Sequence, residues 1–423
     1  MGRNHSDDDW HEEPVTQRLH VCSRPLTTAL DLNAVCRGDG HLFVRDGVGI
    51  AGRGVALTCT QTDVERVLLN VSTVDSDSDA TRGVVAFGVK PFLREDPARF
   101  SIPEVLVQKR EDGSHTVSLI GTDPQLVTES RLLAVVNDMA TTKPNPPTVN
   151  SFAVQPLTPI DTYLAAVVSA RNVVRRGEID KAVIARDIQV RSAQPLDVYS
   201  ILLRLRASFG SSYRFLIGGL LGASPELLVE RQGRTIRSHP LAGTAPRTGD
   251  ATTDARLAAE LVASTKNQIE HRVVIDMVHD TLLPHCSYLD WEPEPSIVTV
   301  ANVQHLGTAL EGALVEPPLS VLSLVDMLCP TPALGGHPTK EAMELIKKVE
   351  GMNRGDYGGA VGWIDGNGDG TWAVAIRCAE LSADRTRARL FAGGGIVADS
   401  EPHSELAETQ AKFQAMLSAI VRP

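Results

Sequence analysis

Between residue 19 and about residue 138, short β-branched runs such as Val84-Val85-Ala86-Phe87-Gly88-Val89 and Val105-Leu106-Val107 alternate with polar turns, which predicts short strands. The period changes at Thr162. Leu164, Val167, Val168 and Val173/Val174 then fall on one side of a helix that runs to Arg176 and stops at Gly177. A strand from Lys181 to Val190 follows, then strand pairs around Phe215 to Leu221 and across Glu226 to Ile236, the second turning at Gln232-Gly233. A long helical region from Asp254 to Leu283, with Ile269, Val273 and Met277 as its core stripe, leads through a Pro-rich connection to strands near Tyr357 to Ile364 and Thr371 to Leu381. Asp365-Gly366-Asn367-Gly368-Asp369-Gly370 imitates half of a calcium loop, but its twelfth position is Ile376 rather than Glu, so it reads as a hairpin turn.

The last stretch, Phe391 to Lys412, reads as an apolar strand end, three glycines, a turn over Asp399-Ser400-Glu401-Pro402, and a helix. Glu405, Glu408 and Lys412 share one side of that helix, and Leu406, Phe413, Leu417 and Ile420 another. Residues 1–18 are acidic and aperiodic and are expected to be disordered, while Thr141 to Pro159 reads as a surface connection. Strands are grouped rather than alternating with helices, so the expected fold is α+β, with antiparallel β-sheets, sandwich-like and flanked by helices. Residues 19–423 are expected to form one domain.

Composition narrows the partners. A formal net charge of -11 argues against nucleic acid or an anionic membrane. Six scattered cysteines without a CxxC pair suit a reducing compartment. With no apolar run of membrane-spanning length and no signal peptide, a soluble cytoplasmic protein is expected.

Several residues could carry chemistry. Lys181 opens an apolar strand, where burial would make it a base and exposure an ordinary strand-end lysine. Glu226 precedes another strand; partly desolvated, it would keep its proton and serve as an acid, and otherwise it merely ends a turn. The Gly/Pro-punctuated stretch Ser238 to Arg247 is either an anion-holding loop or a plain connection. Glu270, in mid-helix, could join Glu405 and Glu408 as oxygen ligands of a hard cation. His305 and Arg377 each interrupt an apolar run, and Arg377 needs either a ligand carboxylate or a protein salt bridge. Together they describe a pocket for a small dianion.

At these residues the chain resembles the chorismate-utilising enzymes, which include isochorismate, salicylate, anthranilate and aminodeoxychorismate synthases. The motifs that carry the resemblance are DKAVIAR, SPELLVER, SHPLAGTAPR, KNQIEHRVV, QHLGT, PTPALGG, GDYGGAVGW, AVAIRCAEL and AGGGIVADSEPHSELAETQAK, over most of residues 160–420. The resemblance implies a single large chorismate-binding α+β domain that uses Mg²⁺. It makes Lys181 the base that activates water and Glu226 the acid on the departing C4 hydroxyl. It makes Glu270 and Glu408 direct magnesium ligands with Glu405 supporting the hydrated ion, and His305, Tyr357, Arg377, Gly395 and Lys412 the groups that position the carboxylates and pyruvyl ether. Gly243-Thr244 would line the ring. Ala242 argues against the covalent lysine adduct of aminodeoxychorismate synthase, Lys181 against the ammonia chemistry of anthranilate synthase, and Ala333 against pyruvate elimination. Asn267 departs from the acid that many members carry one turn before Glu270. The implied activity is isochorismate synthesis for siderophores or menaquinone, by a monomer without a glutamine amidotransferase subunit. Salicylate synthase and a non-catalytic chorismate-binding protein are the alternatives.

Overall fold

The computed structural model describes residues 17–26, 30–74, 83–141, 150–300 and 303–421. The expected disorder of residues 1–18 and the first half of the Thr141 to Pro159 connection thus fall largely outside the described residues. A 13-stranded sheet runs from Phe152–Pro156 through Lys181–Ser192, Arg387–Ile396, Cys378–Leu381, Leu220–Ser224, Tyr213–Ile217 and His41–Arg45, and continues to Val71–Thr73 at its far edge. A nine-stranded sheet faces it, and three strands, Leu241–Pro246, Val303–Gly307 and Ser296–Val300, form a small third sheet. Apart from the parallel pairing of Leu19–Pro25 with Val71–Thr73, the ladders among the described residues are antiparallel. The α+β sandwich anticipated from the grouped strands is present.

Period-two burial explains the layering. Along His41–Arg45, Phe43 turns into the core between the two large sheets, which also holds Phe87, Phe100 and Trp372. Leu42 and Val44 turn to the outer face of the 13-stranded sheet and join a second core cluster that also holds Leu202, Leu205, Phe413 and Met416. Those four residues belong to helices Val198–Ser208 and Pro402–Val421. The N-terminal third is interleaved with the rest: Arg214–Leu216 pairs with Leu42–Val44, and Ala360–Asp365 with Val85–Lys90.

Several sequence expectations need correction. The Asp254 to Leu283 region is two helices, Ala251–Ala263 and Thr265–Leu282, because Ser264 leaves helical geometry and its hydroxyl accepts the Asn267 N–H at 3.3 Å. The core stripe of the second helix is His271, Val274, Ile275, Val278 and Leu282, while Ile269 is 62% exposed. Its Pro-rich successor contains strands Cys286–Trp291 and Ser296–Val300. Most of Ser238 to Arg247 is strand, with a bulge between Ala242 and Thr244 that Gly243 absorbs at φ 76°. Phe152–Pro156 is an edge strand rather than loop, and the Gly393 to Gly395 run lies inside a strand rather than beyond it. The hairpin at Asp365 to Gly370 forms as expected.

Beneath the Lys181–Ser192 strand lies a buried ion pair. Both Glu350 and Arg354 side chains are 2% exposed, with Arg354 Nη2 2.6 Å from Glu350 Oε1. Arg354 also donates to the Val183 and Leu334 carbonyls at 2.7 and 2.8 Å, Glu350 accepts the Ala185 N–H at 2.6 Å, and Phe92 lies 4.2 Å below the guanidinium. Removing one partner of such a pair strands the other charge, so Glu350→Ala is expected to cost about 3–5 kcal/mol in a denaturant melt. Glu260→Ala, which breaks the exposed Arg256–Glu260 pair, should cost under about 1 kcal/mol. Equal small losses would contradict this account of the pair.

Candidate active site

The Cys378–Leu381 strand pairs with Arg387–Ile396 only over Ala379↔Leu390, Glu380↔Arg389 and Leu381↔Ala388, whereas the Lys181–Ser192 strand continues along the other side to Ile396. Beyond Leu390, the edge once covered by Cys378–Leu381 is therefore open. A cavity of about 310 Å³ opens here, and all twelve candidate residues line it: Lys181, Glu226, Gly243, Thr244, Glu270, His305, Tyr357, Arg377, Gly395, Glu405, Glu408 and Lys412. Asn267, Ala242 and Ala333 line it too.

The glycines let side chains reach this edge. The Gly393 carbonyl accepts from Lys412 Nζ at 2.7 Å, so Gly393 points its backbone groups away from the neighbouring strand. By the alternation of an antiparallel ladder, Gly395 does the same and presents its N–H to the cavity. A Cβ on Gly394 would lie 2.8 Å from Glu405 Oε2 and 3.9 Å from Glu408 Oε1; one on Gly395 would lie 2.5 Å from Lys181 Cε and 3.2 Å from Glu270 Oε1. Consecutive strand residues face opposite ways, so Glu405 and Glu408 approach one face of the strand and Glu270 the other.

Each presumed acid and base has a definite environment. Lys181 is buried, and its Nζ stands 2.5 Å from Glu270 Oε1. Glu226 is buried, and its Oε1 lies 3.4 Å from the Leu241 N–H. Burial pushes its pKa up to about 8, against the opposing pull of that N–H, Lys181 and Arg377. Near neutrality Glu226 is a carboxylic acid, able to donate a proton. Sequence reasoning gave this residue its role but missed the Leu241 amide that holds it.

His305 is held in a single tautomer. Its Nδ1 lies 3.2 Å from the Gly243 carbonyl, which can only accept, so Nδ1 carries the proton and Nε2 accepts from Arg377 Nη2 at 3.3 Å. Burial, reinforced by the Arg377 and Lys412 charges, pushes its pKa down to about 3. The imidazole is neutral. Arg377 is buried, lies between strands rather than within one, and holds φ 50°, a costly conformation for a non-glycine residue. Among the described residues it has no ion pair with a protein carboxylate, which favours the ligand over the internal salt bridge. Thr244 Oγ1 lies 3.1 Å from His305 Nδ1. Tyr357 stacks on Phe391 with centroids 5.2 Å apart and planes at 6°, an aromatic wall whose Phe391 half the sequence did not single out.

The carboxylates supply the oxygen donors a hard cation prefers, so the donor chemistry fits Mg²⁺. They are not yet gathered into a cage: among the described residues no three His, Cys, Asp or Glu groups converge as metal ligands. Two already face ammonium groups, Glu270 with Lys181 and Glu408 with Lys412 at 2.6 Å. Formal lining charge is three positive (Lys181, Arg377, Lys412) against three negative (Glu270, Glu405, Glu408), 3 − 3 = 0 with Glu226 protonated. A dianion entering this cavity would leave two negative charges, which one divalent cation balances.

The raised pKa of Glu226 has a testable sign. Its folded value exceeds the ordinary 4.5, so its contribution to stability is fully present below pH 4.5 and is lost as pH rises through about 8. Relative to Glu226→Gln, the parent protein should therefore lose stability, on the order of a few kcal/mol, between these pH values in paired urea melts. A pH-independent difference would contradict a buried, neutral Glu226.

A family model described as chorismate binding enzyme matches residues 55–421. The chain is 35% identical over 338 residues to isochorismate synthase DhbC of Bacillus subtilis, covering 75% of this chain and 84% of that one. It is 32% identical over 338 residues to the vibriobactin-specific isochorismate synthase of Vibrio cholerae, covering 79% and 78%. The solved structure of MenF, the menaquinone-specific isochorismate synthase of Escherichia coli, superposes with a TM-score of 0.80 over 97% of this chain and 96% of that chain; at 23% identity it is a likeness of fold.

Proposed function

Because the chain belongs to the family of chorismate-binding enzymes, we propose that it is an isochorismate synthase, moving the hydroxyl of chorismate from C4 to C2 to feed siderophore or menaquinone biosynthesis. The observation that carries this reading is a buried Glu226, withdrawn from water and so favouring its protonated form, sharing one cavity with Lys181. An acid and a base are what addition of water with loss of a hydroxyl requires, and a protein that merely held chorismate would need neither.

Lys181, once released from Glu270 with its ammonium proton passed to solvent, takes a proton from water as the oxygen bonds to C2. Both ring double bonds shift, the C4–O bond breaks, and Glu226 gives its proton to the departing hydroxyl, which leaves as water. Lys181 ends protonated and Glu226 ionised, so in the reverse direction the two exchange roles. Arg377, oriented by the neutral His305, and Lys412, beside the Gly395 N–H, suit the two substrate carboxylates. Glu270, Glu405 and Glu408 would hold Mg²⁺, which would supply positive charge to a substrate carboxylate. Alanine at 333 supports product release at isochorismate, and alanine at 242 leaves no lysine for a covalent adduct; both line the cavity.

Purified protein given chorismate and Mg²⁺ is expected to form isochorismate without stoichiometric pyruvate, by chromatography with a parallel pyruvate assay. Lys181→Ala and Glu226→Gln should each slow turnover by about 10²–10⁴-fold while chorismate still binds. Salicylate with pyruvate would instead mark a salicylate synthase, and intact turnover in the two variants would sink the acid–base assignment.

A further inference from the structure

The helix Thr265–Leu282 carries Asn267 and Glu270 in its first half, and that half has almost nothing apolar holding it. Among residues 265–272 whose side chains are described, His271 alone is buried; apolar burial begins only at Val274. The Ser264 cap is local to the helix, and the Lys181–Glu270 pair is part of the site it would have to position. His271 makes a different kind of contact. Its Nε2 lies 2.8 Å from the hydroxyl of Thr308, a residue with no exposed surface. Thr308 directly follows the strand that bears His305, and its N–H reaches the Pro240 carbonyl at 3.4 Å, one residue before the Leu241 amide that meets Glu226.

We infer that His271 is a positioning residue: its hydrogen bond to Thr308 pins the first half of this helix to the small sheet and so sets Glu270 in register with Lys181 and Glu226. Without the bond, the interactions left to this half include the Lys181–Glu270 pair, Arg272 over the Trp291 ring at 5.4 Å and the approach of Asn267 to Gly243, none of them a directional bond to the small sheet. An amphipathic helix is ordinarily held by its apolar stripe, and here the stripe starts one turn too late to control Glu270. A short bond between two fully buried groups supplies directional constraint that apolar packing lacks. The kinetic part of this inference rests on the isochorismate synthase reading; the structural part does not.

The test compares His271→Leu, His271→Gln, Thr308→Val and the double variant His271→Leu/Thr308→Val, reading amide hydrogen exchange over residues 265–272 together with kcat and KM. His271→Leu and Thr308→Val should each speed exchange there by about tenfold or more and lower kcat by about tenfold, with KM for chorismate changed less than about threefold. The glutamine amide can reach Thr308, so His271→Gln should stay within about threefold of the parent on both readouts. The double variant should be no worse than the worse single one. Unchanged exchange, a glutamine variant as impaired as the leucine one, or additive losses would overturn the inference. A parent protein that leaves chorismate untouched while the exchange pattern holds would support the pin and reject the proposed enzyme.

Discussion

The Glu350–Arg354 pair is the constraint on which the site's geometry depends. Through Arg354 it reaches the Val183 carbonyl, two residues from Lys181, and the Leu334 carbonyl, beside Ala333; through its own main chain it reaches Tyr357, whose N–H donates to the Arg354 carbonyl at 3.1 Å. Phe92, from the N-terminal third, closes the other side of the guanidinium. Four separate chain segments thus meet at one pair of opposite charges withdrawn from water. Such a pair adds little net stability compared with apolar packing, but its directional bonds permit few arrangements. That restriction suits a cavity whose walls come from sequence positions more than 200 residues apart, such as Lys181 and Lys412.

On this frame the cavity follows from an incomplete sheet. The Cys378–Leu381 strand stops early, Arg377 turns away at positive φ, and the glycines of the Arg387–Ile396 strand leave room for lysine and carboxylate side chains at the exposed edge. Backbone groups that would be a liability on an open edge become ligands, as the bond from Lys412 to Gly393 already illustrates. The charge balance of the lining has a second consequence. Glu270 and Glu408 are each neutralised by a lysine, so a cation entering the site competes with Lys181 and Lys412 for the same oxygens.

Much of this was legible in the sequence because it is local. The strand beginning at Lys181, the hairpin at Gly233, the turn at Asp365 and the acidic edge of the C-terminal helix all follow from residue spacing, and the motifs added roles for residues that spacing alone left open. What was not legible depends on pairing. Pro240 and Gly243 punctuate like a loop, yet the third sheet recruits Leu241–Pro246 as a strand and confines the glycine to a bulge. Glu350 and Arg354 look like an exposed i,i+4 pair, and only the sheet packed above them makes them buried. The neutral tautomer of His305 was not legible from its apolar sequence neighbours; the Gly243 carbonyl and Arg377, which fix it, are 62 and 72 residues away.

The central claim is that water, activated beside Lys181, replaces the hydroxyl that Glu226 helps to expel. Running the reaction in ¹⁸O-labelled water and locating the label by mass spectrometry tests it most directly. The account predicts isochorismate with one ¹⁸O at C2 and, because the reaction is reversible, label appearing at C4 of the recovered chorismate. Isochorismate that kept the original oxygen would mean the hydroxyl migrates without exchange, and the acid–base account of this cavity would be wrong.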